Sequence, residues 1–404
     1  MLQEEIGMKW VSTFSYLPIN YGVTLAQAAD QSQRILFDNN LNGSRVRLRL
    51  TNRYGTEPLC LSRVTIGTTE GETVNAPQAV TLNGGREICL APGQEVWSDE
   101  VELAVRAGER LAVTTYVDAP QRIEGVCAFW STTGPMVRLS RSGDYTGGGA
   151  FEEVPARAVY PVIEEDANPV KAFFFYGVSG VQVLTEDTVK TVVMFGDSIT
   201  HMSYVYNALN QRLMAAYPGQ VSVLNRGIGG NRVLHDATKV AELPGEGCLF
   251  GRAGVSRFEE DVFAQEHADV VLVLEGINDI MHPIQFNHPE EQVTPEELVE
   301  GYRRYIDIAH RHGAKIFGAT ITACGHRDYP ADWLPKFEAI RQPVNERLRN
   351  GIGYDGCFDY DAAVRDEARP GYLLDECHIH DGLHPNDEGG ARMAAQIDLS
   401  ALMV

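Results

Sequence analysis

Thr191-Val-Val-Met-Phe-Gly-Asp-Ser-Ile-Thr200 opens on a short, continuously apolar run and breaks at a glycine into a hydroxyl-bearing turn. Unbroken apolarity over so short a stretch is the pattern of a strand buried on both faces, as parallel strands are. The same grammar recurs at Val221–Leu224, Val270–Leu274 and Lys315–Thr320, with helical stretches between. The clearest helix opens at Thr294-Pro-Glu-Glu297, where Thr294 is the expected N-cap, Pro295 suits the first helical position and Glu297 completes a capping box. Its apolar side is Leu298, Tyr302, Tyr305, Ile306 and Ala309, and Gly313 is the expected stop. Strands alternating with helices predict a doubly wound, three-layer α/β domain, which binds ligands at the carboxyl ends of its strands.

Before about residue 187 the pattern differs. In Arg45-Val-Arg-Leu-Arg-Leu50, Val46, Leu48 and Leu50 share one face and three arginines the other, the period-two signature of a half-buried strand. Cys60–Ile66, Glu95–Leu103, Arg110–Val117 and Lys171–Tyr176 also read as strands, punctuated by Asn42-Gly43, Asn83-Gly84-Gly85 and Pro92-Gly93. This spacing predicts an antiparallel, jelly-roll-like sandwich. Arg141–Gly149 and the acidic Glu152-Glu153 and Glu164-Glu165-Asp166 read as a long exposed loop region. With Glu186-Asp187 as the junction, the expected domains are 1–187 and 188–404.

A chain of 404 residues supports two such domains, and 44% hydrophobic with 22% charged residues describes a packed globular protein. The formal charge of -21 and the acidic balance of both halves disfavour nucleic acid and anionic membrane as partners. The first ten residues carry early acids and no apolar core of a secretory signal, and no apolar run approaches the length of a membrane span. Seven scattered cysteines without a C-x-x-C pair read as reduced thiols, which predicts a cytoplasmic location.

The chemistry concentrates at strand ends. Ser198 falls just past a strand and at the start of a helix, where unpaired N–H groups and positive potential favour an oxyanion; the same turn also suits an N-cap. Asp381-Gly-Leu-His384-Pro-Asn386 sets a carboxylate and an imidazole three residues apart, enough for a base and the acid that orients it. An exposed histidine beside a capping aspartate is the plainer alternative. Asn225-Arg-Gly-Ile-Gly-Gly230-Asn231 and Glu275-Gly-Ile-Asn278-Asp279 follow two further strands, so the Gly230 N–H and the Asn278 amide could act as donors on the same rim. Asp197, Asn231, His235, Asp279, His282 and His380 are further candidates for contact with substrate.

These four blocks resemble those of the SGNH hydrolases, the GDSL esterase and lipase superfamily, and each keeps its key residue. The resemblance implies Ser198 as nucleophile, His384 as general base and acid, Asp381 as its orienter, and an oxyanion hole from the Ser198 N–H, the Gly230 N–H and the Asn278 amide. It implies a flavodoxin-like sheet between helices over Val189 to the C-terminus and requires no cofactor. The preceding half is similar to the β-sandwich that accompanies some carbohydrate-acting members, and glycan binding, shaping of the cleft and structural support are the roles left open for it here. An ordinary α/β-hydrolase elbow, Gly-x-Ser-x-Gly, is broken by Thr200.

The function expected is therefore a serine esterase acting on short acyl, chiefly acetyl, esters of carbohydrates. The expected partner is a small-molecule or oligosaccharide ester, with a homo-oligomer allowed. A lipase or lysophospholipase acting on longer chains is the alternative. Asp375-Glu-Cys377-His378-Ile-His380-Asp381-Gly-Leu-His384 is rich in metal-ligating side chains and keeps a metallohydrolase in view, although no H-E-x-x-H is present. A non-catalytic glycan-binding protein is the remaining alternative.

Overall fold

Gly196 pairs with Leu274 at the ends of two neighbouring parallel strands, Lys190–Gly196 and Val270–Leu274. The sheet they share runs in the order Val221–Gly227, Lys190–Gly196, Val270–Leu274, Lys315–Ala319, Gly356–Phe358. Counted along the chain this is 2-1-3-4-5, the flavodoxin-like order, whose switch point lies between strands 1 and 3. The computed structural model describes residues 7–161, 172–264 and 266–404. Residues 1–6, the acidic 164–166 and Lys171, on which some of the sequence expectations fall, lie outside the described residues.

By its contacts the chain forms two compact units, Met1–Lys190 with Arg212–Leu224, and Thr191–Gln211 with Asn225–Val404. In the second unit the apolar runs are buried as double-sided strands should be: Val192, Val193, Phe195, Val270 and Val271 are wholly inaccessible. Phe195 meets Phe258 of helix Gly254–Phe263 and Tyr305 of helix Pro295–Arg311, with ring centroids 5.0 and 5.5 Å away. Buried aromatic contacts of this kind tie helices to a sheet, and truncating one to alanine typically costs about 3–5 kcal/mol. Helix Pro295–Arg311 has the expected capping box, in which Thr294 Oγ1 accepts the Glu297 N–H and Glu297 Oε2 accepts the Thr294 N–H. Its expected apolar side is buried throughout, and Gly313 ends it at φ +75°.

The N-terminal part of the first unit, before Lys190, is built around an antiparallel β-sandwich. One five-stranded sheet runs Met8–Ser15, Val178–Glu186, Gly43–Thr51, Glu95–Trp97, with Val101–Val105 also on Gly43–Thr51. The other runs Met136–Leu139, Gln31–Asp38, Arg110–Val117, Arg63–Glu70, Thr73–Ala79. Phe14 of the first sheet stacks on Phe37 of the second at 4.5 Å, and Val46, Leu48 and Leu50 are fully buried. The arginine face of that strand is not simply solvated: Arg47 lies over the rings of Trp10 and Trp97, and buried Arg49 pairs with Glu95 at 2.8 Å.

Two expected strands are each divided. Cys60–Ile66 becomes Leu59–Leu61 and Arg63–Glu70, broken where the Ser62 hydroxyl donates to Asp118; Glu95–Leu103 becomes Glu95–Trp97 and Val101–Val105, broken where Asp99 accepts from Thr81 and Gly84. The reading of all seven cysteines as reduced thiols is corrected for one pair. Cys60 and Cys89 lie directly opposite in the antiparallel pair Leu59–Leu61 and Ile88–Leu90, with Cα atoms 4.0 Å apart, and form a disulfide. Register across 29 residues of chain, not local spacing, brings them together, and the thiol argument for a reducing compartment falls with it. Among the described residues no helix is long and apolar enough to cross a membrane.

Alkylation of the denatured, unreduced protein is expected to modify five cysteines, Cys127, Cys248, Cys324, Cys357 and Cys377, and to spare Cys60 and Cys89. Peptide mass mapping reads this directly, and seven labelled positions would refute the bridge.

Candidate active site

Ser198 opens a single helical turn, Ser198–His201, at the carboxyl end of the strand Lys190–Gly196. The approach to it is tight, since a Cβ on Gly196 would lie 2.0 Å from the Leu274 carbonyl oxygen. Asp197 caps the turn by accepting the Ile199 N–H on Oδ1 at 3.0 Å. The Ser198 hydroxyl stands 2.8 Å from His384 Nε2, and His384 Nδ1 stands 2.6 Å from Asp381 Oδ2. With Nδ1 donating to the carboxylate, Nε2 presents its lone pair to the serine hydroxyl.

The histidine loop is fixed by its own hydrogen bonds and packing. Asp381 Oδ1 also accepts the Leu383 and His384 N–H groups, and Gly382, at φ +71°, could not carry a Cβ without meeting the Gly325 oxygen at 2.7 Å. Burial alone would raise the Asp381 carboxyl; the hydrogen bond and charge of His384, with the two N–H groups, bring it down to about 2. It is therefore an ionised acceptor across the working range of an imidazole base.

The expected donors lie at the start of the serine turn and on segments that follow the two neighbouring strands. The Ser198 and Gly230 N–H groups donate to no acceptor among the described residues. Gly230 sits at φ +71°, with the half-buried Phe250 ring 2.0 Å from where a Cβ would be. Asn278, on the first turn of helix Ile277–Gln285, gives one amide hydrogen to the Asn231 carbonyl at 2.9 Å, which fixes the amide and leaves the second hydrogen. Asn225 ties the glycine loop to the serine helix by donating to the Thr200 carbonyl and accepting from Gly227. His201, which the sequence did not single out, adds a second tie by accepting the Gly229 N–H on Nδ1 at 3.1 Å.

The remaining candidates separate by exposure. Asn231 is fully buried, its amide spent on the Phe250 and Arg252 carbonyls and its oxygen on Arg257. Asp279 is fully buried and accepts the Val233 and Leu234 N–H groups; burial pushes it up to about 7 against those two bonds. His282 is buried against Phe250 and Phe286, with Nδ1 3.1 Å from the Thr238 hydroxyl, and burial followed by the Arg232 charge lowers it to about 3. Asp197 is buried too, and burial, reinforced by Glu275 and Asp279, raises its carboxyl well above the ordinary range. The structure thus uses these four as internal supports and not as the substrate contacts expected, because a polar atom enclosed in the domain must find its partner there. His235 is half-buried and His380 exposed, so both keep a side chain open to solvent.

The metal-ligating run does not converge. His378 Nδ1 accepts the Gly382 N–H, His384 is committed to Asp381 and Ser198, and Cys377 is fully buried. Among the described residues no group of three or more histidine, cysteine or acidic side chains is arranged to hold a metal ion.

The flavodoxin-like order and the four motif blocks on one rim define the class, an SGNH-type hydrolase domain. Residues 194–392 match the GDSL-like lipase/acylhydrolase family, and this domain makes the chain a carboxylic ester hydrolase. Among solved structures it is similar to the acetyl xylan esterase AlAXEase (22% identity, covering 52% of this chain and 98% of that one, TM-score 0.38). It is similar also to a catalytic mutant of the acetylxylan esterase Axe2 from Geobacillus stearothermophilus (20% identity, 53% and 94%, TM-score 0.39). A third is LAE5, an alpha/beta hydrolase from the metagenome of Lake Arreo, Spain (21% identity, 53% and 94%, TM-score 0.38). No curated protein matches the chain.

The lowered His282 gives a signed pH prediction. Its folded value lies below the ordinary 6.5, so the unfolded chain takes up the proton first and stability falls as pH drops from about 6.5 towards 3. His282→Gln is expected to flatten this slope, which for one proton is at most about 1.4 kcal/mol per pH unit. Urea unfolding of both proteins at pH 7, 5.5 and 4.5 measures it, and parallel slopes would refute it.

Proposed function

We propose that residues 188–404 form the catalytic domain of a serine esterase, with 1–187 as its accessory domain, and that the enzyme removes short acyl groups from carbohydrate esters. The reading is carried by the unbroken chain from Ser198 Oγ through His384 to Asp381, at 2.8 and 2.6 Å. Ser198 attacks the ester carbonyl while its proton passes to His384 Nε2, and Asp381 stabilises the imidazolium that results. The oxyanion is held by the Ser198 and Gly230 N–H groups and the second amide hydrogen of Asn278. Collapse expels the alcohol, protonated by His384, and leaves an acyl-enzyme. Water, deprotonated by His384, then releases the acid and restores the serine.

Preference for a short acyl group is supported by Phe250. Its ring packs on Gly230 and is braced by His282 at 4.8 Å and Phe286 at 6.2 Å, so the space beside that oxyanion donor is already filled. A carbohydrate alcohol is supported by the accompanying sandwich and the acidic balance of the chain.

Hydrolysis of p-nitrophenyl esters from acetate to palmitate tests both parts. Activity is expected to fall steeply beyond butyrate, to vanish in Ser198→Ala with unchanged cooperative unfolding, and to persist in EDTA. Asn278→Ala is expected to lower kcat by about 10²–10³-fold, and Phe250→Ala to move the optimum towards longer chains. Full activity in Ser198→Ala would end the nucleophile assignment, and a palmitate optimum in the wild type would end the short-chain one.

A further inference from the structure

Arg257 lies on helix Gly254–Phe263, outside all four motif blocks, and only 1% of it is accessible. Its guanidinium is spent entirely inside the domain. Nε donates to Asn231 Oδ1 at 2.7 Å, Nη1 to the Arg226 carbonyl and to Asp261 Oδ2 at 3.0 Å each, and Nη2 to the Gly196 carbonyl at 2.9 Å. Nη2 also stands 3.5 Å from Glu275 Oε1, and the plane of the group lies over the Phe195 ring at 3.9 Å.

These partners are not scattered. Gly196 lies two residues before Ser198, Arg226 and Asn231 bracket Gly230, and Glu275 lies three residues before Asn278. Asn231, held by Arg257 through its side chain, offers its own carbonyl to the Asn278 amide at 2.9 Å. One planar cation therefore fixes the three segments that carry the three oxyanion donors. A rigid fork of five N–H groups can do this, whereas an ammonium cannot reach the same acceptors in one plane.

We infer that Arg257 is a positioning residue, setting the separation of the Ser198, Gly230 and Asn278 donors through Gly196, Asn231 and Glu275. The inference rests on the oxyanion hole proposed above. Donors placed in advance favour the tetrahedral oxyanion over the ground-state carbonyl, so displacing them lowers kcat more than it raises KM.

The test is Arg257→Lys in the full chain, assayed on p-nitrophenyl acetate and with a trifluoromethyl ketone, whose adduct with a serine is an oxyanion. For a variant that matches wild-type circular dichroism, kcat is expected to fall about 100-fold with KM within about threefold, and ketone affinity to fall in parallel. Combined with Asn278→Ala, it is expected to cost no more than about threefold beyond Asn278→Ala alone, because both act on the same donor set.

Two variants at the neighbouring position keep the inference testable if Arg257→Lys does not fold. Asn231→Asp preserves an acceptor for Arg257 Nε and Asn231→Ala does not, while both lose the amide donor, so the aspartate is expected to retain at least tenfold more kcat. Equal kcat in these two, near-wild-type kcat in folded Arg257→Lys, or losses that multiply with Asn278→Ala would each overturn the inference while the ketone still inhibits the wild type. A wild type the ketone does not inhibit would overturn the oxyanion hole itself, and the inference with it.

Discussion

The pairing of Gly196 with Leu274 is the constraint from which the candidate site hangs. It places the carboxyl ends of strands 1 and 3 side by side at the switch point, so the chain leaving each must turn outward over the same crevice. Ser198 stands two residues beyond one end and Asn278 four beyond the other. The spacing allows no extra atom between them, because any side chain at position 196 would strike the Leu274 carbonyl. A local requirement for glycine thus becomes a requirement on the distance between the proposed nucleophile and a proposed oxyanion donor.

Holding the crevice open by a rigid frame has an electrostatic cost. Asp197, Glu275 and Asp279 are all buried close behind the site, and burial raises the carboxyl of each. Buried acids of like charge are tolerated where cations and N–H groups answer them. Here the answers are specific: Tyr305 donates to Glu275 at 2.6 Å, two loop N–H groups to Asp279, and Arg257 lowers both Glu275 and Asp197 against the effect of burial. The same bonds that offset burial fix the loops, so the stability of this layer and the geometry of the donors are one problem with one solution.

What the sequence made legible is what short-range rules govern. The capping box at Thr294 and Glu297 needs only four residues and one hydrogen-bond pattern, and it formed as read. Val46, Leu48 and Leu50 were legible because a strand with one buried face must alternate. Asp381 and His384 were legible as a pair because three residues of chain confine them to one turn, and the turn brings them to 2.6 Å. The split of Glu95–Leu103 was not legible, since it depends on Asp99 meeting Thr81 and Gly84 from another part of the sandwich. Nor was the final parallel strand, whose Gly356-Cys-Phe358 is too short to carry a period.

Arg257 marks the limit of such reading most clearly. In the sequence it is one arginine outside every motif block, and the expected place for its charge is solvent. Its meaning comes from acceptors at positions 196, 226, 231, 261 and 275, four of them on segments that only the sheet order brings together. Cys60 and Cys89 pose the same problem in the sandwich, where a register spanning 29 residues makes a bond that spacing alone argued against. In both cases the chemistry of the residue is ordinary and its neighbours are not. Groups whose role is set by many distant partners therefore escape a motif, while those partners can still decide how well the motif residues work.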